Sequence, residues 1–195
     1  MNILAHCYLS GNNPDILLGN FIADGMSRKQ WEKLPPTVIK GVRLHHFIDS
    51  FTDQHPEVIR CVNSLRPSQA KYAPVVTDIL FDHFLARDWS KYHALPLEHY
   101  VRWVHQILDE RTALMLPDRQ RMFSYMKTYK WLEGYARQEG IERVLQGMAR
   151  RSRFPSNMAN AFSDYLAQKP FWEDRFHDFF PQLQTAVESE LHKGE

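Results

Sequence analysis

Apolar residues recur at intervals of three and four along almost the whole chain, the pattern of amphipathic helices. No stretch alternates with a period of two, and no Asn-Gly or Asp-Gly turn links two β-branched runs. The prolines fall where helices would begin. Asn13-Pro14-Asp15 reads as an N-cap, a proline at the first helical position and an acid in the first turn. Pro35-Pro36, Pro56, Pro96, Pro117, Pro155 and Pro170 mark further starts or breaks. The pattern predicts helices over 14–26, 37–54, 57–66, 69–91, 97–115, 119–137, 140–151, 156–168 and 171–192, with a short one over 2–9. Pro74, early in the 69–91 element, predicts a helix start or a kink there. With no repeat, linker or shift in composition, the chain reads as one all-α domain over 1–195.

Composition narrows the function classes. At 195 residues, 44% hydrophobic and 24% charged, the chain has an ordinary globular balance and length enough for a real core. Lys+Arg 24 against Asp+Glu 23 leaves a net charge of +1, so no global basic field exists to bind nucleic acid. Cys7 and Cys61 are too few and too far apart for a disulfide framework or a metal knuckle, and read as plain thiols. The N-terminal stretch lacks a basic leader region. The most apolar window, PVVTDILFDHFL, carries two aspartates and a histidine, so no membrane span is expected and a cytoplasmic location is. The five tryptophans and the stripes Tyr100, Trp103, Val104, Ile107, Leu108 and Phe171, Trp172, Phe176, Phe179, Phe180 have the spacing of core faces.

Three groups of polar residues stand out against this apolar background. In GVRLHHFIDSFTDQHP, His45 and Asp49 are four apart, so on a helix they emerge about 40° apart on one face. Asp53 continues that line. An imidazole and a carboxylate one turn apart can share a divalent metal or form a helix ion pair. His46 points about 100° away. In TDILFDHFLARDW, Asp78 and Asp82 are two like charges on one face of a largely apolar helix, with His83 beside them. A metal would resolve that conflict, and so would a buried arginine such as Arg43 or Arg87. The third group is His6 in NILAHCYL, with Asn20 and Asp24 in LLGNFIAD. Taken together, the residues point to a helical domain with a His/Asp metal site and hydrolytic chemistry.

The runs NILAHCYLSG, LLGNFIAD, HHFIDSFTDQHP, DILFDHFLARDW and, more weakly, VLQGMARR resemble the acyl-carrier-protein phosphodiesterases, in the same order and with compatible gaps. That family is itself similar, distantly, to the HD phosphohydrolases. The resemblance implies an HD-phosphohydrolase-like helical fold and hydrolysis of the phosphodiester that links 4′-phosphopantetheine to serine of holo acyl carrier protein. It implies a divalent metal, Mn²⁺ first, with Mg²⁺ or Fe²⁺ as alternatives. It marks Asp24, His45, Asp78, Asp49, Asp82 and His6 as metal ligands, and His83, His46 and Arg43 as catalytic groups. His46 stands where the family usually carries arginine, which leaves open whether His45 or His46 faces the metal. Asp82-His83 also reverses the His-Asp order of the superfamily.

The chemistry expected is attack by a metal-activated water, with His83 or His46 as general acid and Arg43 or Arg87 holding a phosphate oxygen. The substrate would be a small acidic protein, so a basic docking patch is expected. Arg150, Arg151 and Arg153, joined by Arg28 and Lys29, are its candidates. Two rival functions fit the same residues. One is a phosphohydrolase of nucleotides or other small phosphoesters; the other is a metal-free helical adaptor using the aromatic C-terminal face.

Overall fold

Asn13 caps the second helix as its sequence predicts: the side chain accepts from the N–H groups of Asp15 and Ile16, and Pro14 sits in the first turn. The same logic runs along the chain in the computed structural model, which describes residues 1–193. Its helices are α1 (Ile3–Leu9), α2 (Pro14–Ile22), α3 (Arg28–Trp31), α4 (Pro36–Gln54), α5 (Pro56–Gln69) and α6 (Ala73–Arg87). There follow α7 (Leu97–Asp109), α8 (Pro117–Thr128), α9 (Trp131–Gly134), α10 (Gln138–Arg151), α11 (Ala161–Ala167) and α12 (Lys169–His192), with short 3₁₀ turns between some of them. No strand occurs among the described residues, and they form one helical domain as the periodicity predicted.

Two expected helices are broken, one where Pro74 predicted a helix start and one with no signal in the pattern. The 69–91 element is interrupted: α5 runs on to Gln69, a 3₁₀ turn covers Ala70–Tyr72, and α6 begins at Ala73. Pro74 lacks the N–H that a continuous helix would direct at the Ala70 carbonyl, and Ala70 itself turns the chain with φ 48°. The 119–137 element breaks at Lys130, a non-glycine residue in the left-handed region with φ 49° and ψ 51°.

One core serves all the layers. Trp172, Phe176 and Phe179 of α12 are buried against Phe81 and Phe84 of α6, and buried Phe180 stacks on Phe176. The aromatic C-terminal face therefore belongs to the interior and offers no surface to an adaptor's partner. Cys7 and Cys61 are free and buried. No helix of the described residues is long and apolar enough to cross a membrane.

A glycine pair sets the tightest crossing. A Cβ on Gly19 of α2 would lie 2.0 Å from the Val38 carbonyl oxygen, and one on Gly41 of α4 would lie 2.2 Å from that of Ile16. Only hydrogen at both positions lets the two backbones meet. Asn20 follows Gly19 directly, and His45 lies one turn beyond Gly41, so the crossing carries the two side chains toward each other.

Candidate metal centre

Four polar side chains from α1, α2 and α4 meet beside that crossing. Nε2 of His6 lies 3.1 Å from Oδ1 of Asp49, and Nε2 of His45 lies 3.2 Å from Oδ2. The two imidazoles stack with centroids 4.2 Å apart and planes inclined by 24°. Behind them, Oδ1 of Asn20 is 2.7 Å from Nδ1 of His6 and 3.2 Å from Nδ1 of His45. Asn20 is wholly buried and both histidines are nearly so, whereas the Asp49 side chain is 42% exposed, so the centre is open to solvent on that side only.

The protonation of the centre follows from the asparagine. Its Nδ2 donates to the His6 carbonyl and to Ser10 Oγ, both at 2.9 Å. A carbonyl cannot donate, so the amide nitrogen must face it and Oδ1 must face the rings. Each ring then gives its Nδ1–H to Asn20 and turns Nε2 toward Asp49. A neutral imidazole carries a lone pair there. Two demands conflict: burial would raise the Asp49 carboxyl, and it is held well below the usual carboxylate range by hydrogen bonds from His45 and His6 and by the charge those rings would carry. Yet burial also pushes His6 toward its neutral form, against the pull of Asp49.

A cation shared by the three groups removes the conflict. His6, His45 and Asp49 offer one ligand atom each within 4.8 Å of one another. Neighbouring ligands of an ion at bond lengths of about 2.1 Å stand about 3.0–3.4 Å apart, which is the spacing of the imidazole–carboxylate pairs. Two imidazoles and one carboxylate suit Mn²⁺, Fe²⁺ or Zn²⁺ and leave positions for water or substrate. Asn20 holds both tautomers from behind, as outer-shell partners of metal-bound histidines do. The donor set fits a divalent metal.

The other sequence candidates sit elsewhere. Asp82 is fully buried and accepts the N–H groups of Leu4 at 2.7 Å and Ala5 at 3.1 Å, anchoring the first turn of α1. Burial raises its carboxyl to about 7, with those two amide bonds offsetting part of the rise. Asp78 pairs with the Met1 ammonium at 3.0 Å. The like-charge conflict on α6 is thus met by backbone donors and an ammonium group, with neither Arg43 nor Arg87 involved. Asp24 is 76% exposed and paired with Arg119 at 3.0 Å. His83 is buried, held by the Tyr135 carbonyl at 2.7 Å and packed against Phe84, Phe162 and Tyr165. Arg87 is locked to Asp88 and Glu173. None of these joins the centre. His46 is exposed with its ring edge-on to His45, 5.7 Å between centroids, and Arg43 is exposed three residues before it on α4. Arg28 is paired with Glu32, and Lys29 is exposed.

Sequence reasoning noted Asn20 only as a neighbour of Asp24, and the glycine pair not at all. It also missed a cleft of about 850 Å³. Part of its lining comes from Met1, Asn2 and Ile3 at the start of α1 and from Asp78 of α6, and its walls come from α8, α9 and α10. Burial works against the Met1 ammonium there, and Asp78, with smaller help from Asp49 and Asp82, raises it nonetheless.

Comparison with known proteins agrees along nearly the whole chain. The chain is 32% identical over 194 residues to the acyl carrier protein phosphodiesterase of Enterobacter sp. (strain 638), covering 97% of this chain and 98% of that one. It is 33% identical over 190 residues to the acyl carrier protein phosphodiesterase of Salmonella dublin, covering 95% and 96% of the two chains. No solved structure matches. The family model for acyl carrier protein phosphodiesterase matches residues 1–183, a span that holds every residue of the centre and the cleft, and the chain belongs to that family.

Proposed function

We propose that this protein hydrolyses the phosphodiester joining 4′-phosphopantetheine to a serine of holo acyl carrier protein, releasing apo carrier and 4′-phosphopantetheine. The observation that carries the reading is the family match across residues 1–183; the hydrolytic character of the His6–His45–Asp49 centre agrees with it. The helical architecture and this donor set also support a distant kinship with HD phosphohydrolases.

A divalent ion, Mn²⁺ in the first instance, would supply an acidic bound water and neutralise charge on the phosphoryl oxygens. His6, His45 and Asp49 would hold it, with Asn20 fixing the rings. No ligand role is assigned to Asp24, Asp78 or Asp82, whose oxygens are engaged by Arg119, Met1 and the α1 backbone. In the reaction a water oxygen bonds to phosphorus, the bond from phosphorus to the serine oxygen breaks, and that oxygen takes a proton. His46 is the proposed donor, because it is solvent-accessible beside His45 whereas His83 is packed in the core. Arg43, on the same side of α4, would hold a phosphoryl oxygen by a charge-assisted bond.

Carrier docking falls to Arg150, Arg151 and Arg153 around the end of α10, all exposed. Charge reversal at Arg150 and Arg151 should raise KM and weaken its salt dependence; an unchanged KM discards the patch. The activity itself is read by intact-mass spectrometry of holo acyl carrier protein incubated with the protein and Mn²⁺ or with EDTA. Metal-dependent loss of the phosphopantetheine mass is expected. An unchanged mass with competent carrier contradicts the reading.

A further inference from the structure

The cleft walled by α8, α9 and α10 has features that holding the fold together does not require. Lys130, Arg143, Arg150 and Arg151 line it, all exposed, and none forms an ion pair among the described residues. Tyr125 and Tyr129, 55% and 65% exposed, stack on its rim, and Trp131, Val144 and Met148 give it an apolar wall. Its volume of about 850 Å³ falls in the range of ligand sites. Lys130 reaches the cleft from a left-handed backbone position that only its surroundings hold in place.

The floor carries a further signal. Three glycines line the cleft, and they differ. A Cβ on Gly140 would strike the Gly134 carbonyl at 2.0 Å, so that pair is needed for the α9–α10 contact. Gly147 meets nothing within 4 Å. Glycine inside a helix is unfavourable relative to alanine, and no packing at this position calls for it. What a side chain at Gly147 would occupy is the cleft itself.

We propose that this cleft receives the pantetheine arm of the substrate and any acyl group on its thiol, and that Gly147 sets the size it admits. The inference rests on the proposed function and adds to it a binding subsite and a specificity-determining position. The chemistry matches along the length. An extended, mostly neutral chain with a branched alkyl section and a thiol end suits the aromatic and aliphatic wall. The unpaired cations suit the acidic surface of the carrier that bears the arm. Met1, Asn2 and Ile3 of the lining lead into α1, the helix that carries His6, and Asp78 of α6 is paired with Met1, so an arm in the cleft would keep its phosphate end on the side of the centre.

The test is a size series at Gly147 (Ala, Leu, Phe) with Gln146→Leu, an exposed neighbour outside the cleft, as control. Folding of each variant is followed by circular dichroism and melting. Two readouts are taken: calorimetric titration with 4′-phosphopantetheine, and kcat/KM for holo and long-chain acyl carrier. Affinity and kcat/KM should fall with side-chain size, by about tenfold or more at Phe, and acyl carrier should be hit before holo carrier. Gln146→Leu should match the wild type. A folded Gly147→Phe that binds and turns over like the wild type overturns the subsite. So does equal competition by inorganic phosphate, which would reduce the cleft to an anion site. If the wild type releases no phosphopantetheine, the proposed function fails; if it does and the series is flat, only the cleft assignment fails.

Discussion

Two buried polar sets lie close together in this protein, and they resolve their charge in opposite ways. Around Asp82 every oxygen is used: two backbone N–H groups of α1 are received, and Asp78 beside it takes an ammonium. Around Asp49 the accounting does not close: Asn20 Oδ1 faces the Nδ1 atoms of both histidines, and burial drives His6 toward the neutral form, whose Nε2 has no proton to give the carboxylate. Both sets looked alike as paired groups at i, i+4 on apolar helices. What separates a structural anchor from a metal centre is which donors remain once local hydrogen bonds are counted.

The sharpest way to break this contrast is to remove a ligand. His45→Ala or Asp49→Asn should abolish metal binding and lower turnover by several orders of magnitude, with helical content unchanged by circular dichroism. Retained turnover would show that the reaction does not use this centre. Next comes Asn20→Ala, which frees both rings. Metal affinity should drop about 10–100-fold in a chelator competition, as for other outer-shell losses.

On the anchoring side the effect should appear in stability alone. Asp82→Ala leaves two buried N–H groups unpaired and should cost about 3 kcal/mol in urea unfolding, with metal stoichiometry preserved. The anchor should also respond to pH. Asp82 titrates near 3.8 when unfolded and about 7 when folded, so its protonated form favours the fold, and stability declines as pH rises through that window. Asp82→Asn cannot ionise and should flatten the decline in urea midpoints across the same range. A decline as steep as in the wild type would mean that another group carries it.

The helical architecture was legible because the apolar period and the proline starts agree, as at Asn13-Pro14. The start of α6 at Pro74 was legible for the same reason, but the positive φ at Ala70 and the break at Lys130 were not, since neither residue type signals them. His45 and Asp49 were readable as a pair from spacing alone. That His6 joins them was readable only through the family resemblance and not from spacing, because it depends on how closely α2 and α4 cross and on where α1 then lies. The signal lay in Gly19 and Gly41, two glycines inside helical patterns, where tight packing is one standing explanation. Asp82 was misleading for a related reason: its partners are backbone amides more than 70 residues away, which no side-chain pattern records.

The central claim is that His6, His45 and Asp49 hold the divalent ion. It is tested most directly by titrating Mn²⁺ calorimetrically into the wild type, Asp49→Asn and Asp78→Asn. Binding that is lost in Asp49→Asn and retained in Asp78→Asn is the predicted result. Binding retained in Asp49→Asn and lost in Asp78→Asn would contradict it and move the centre to α6.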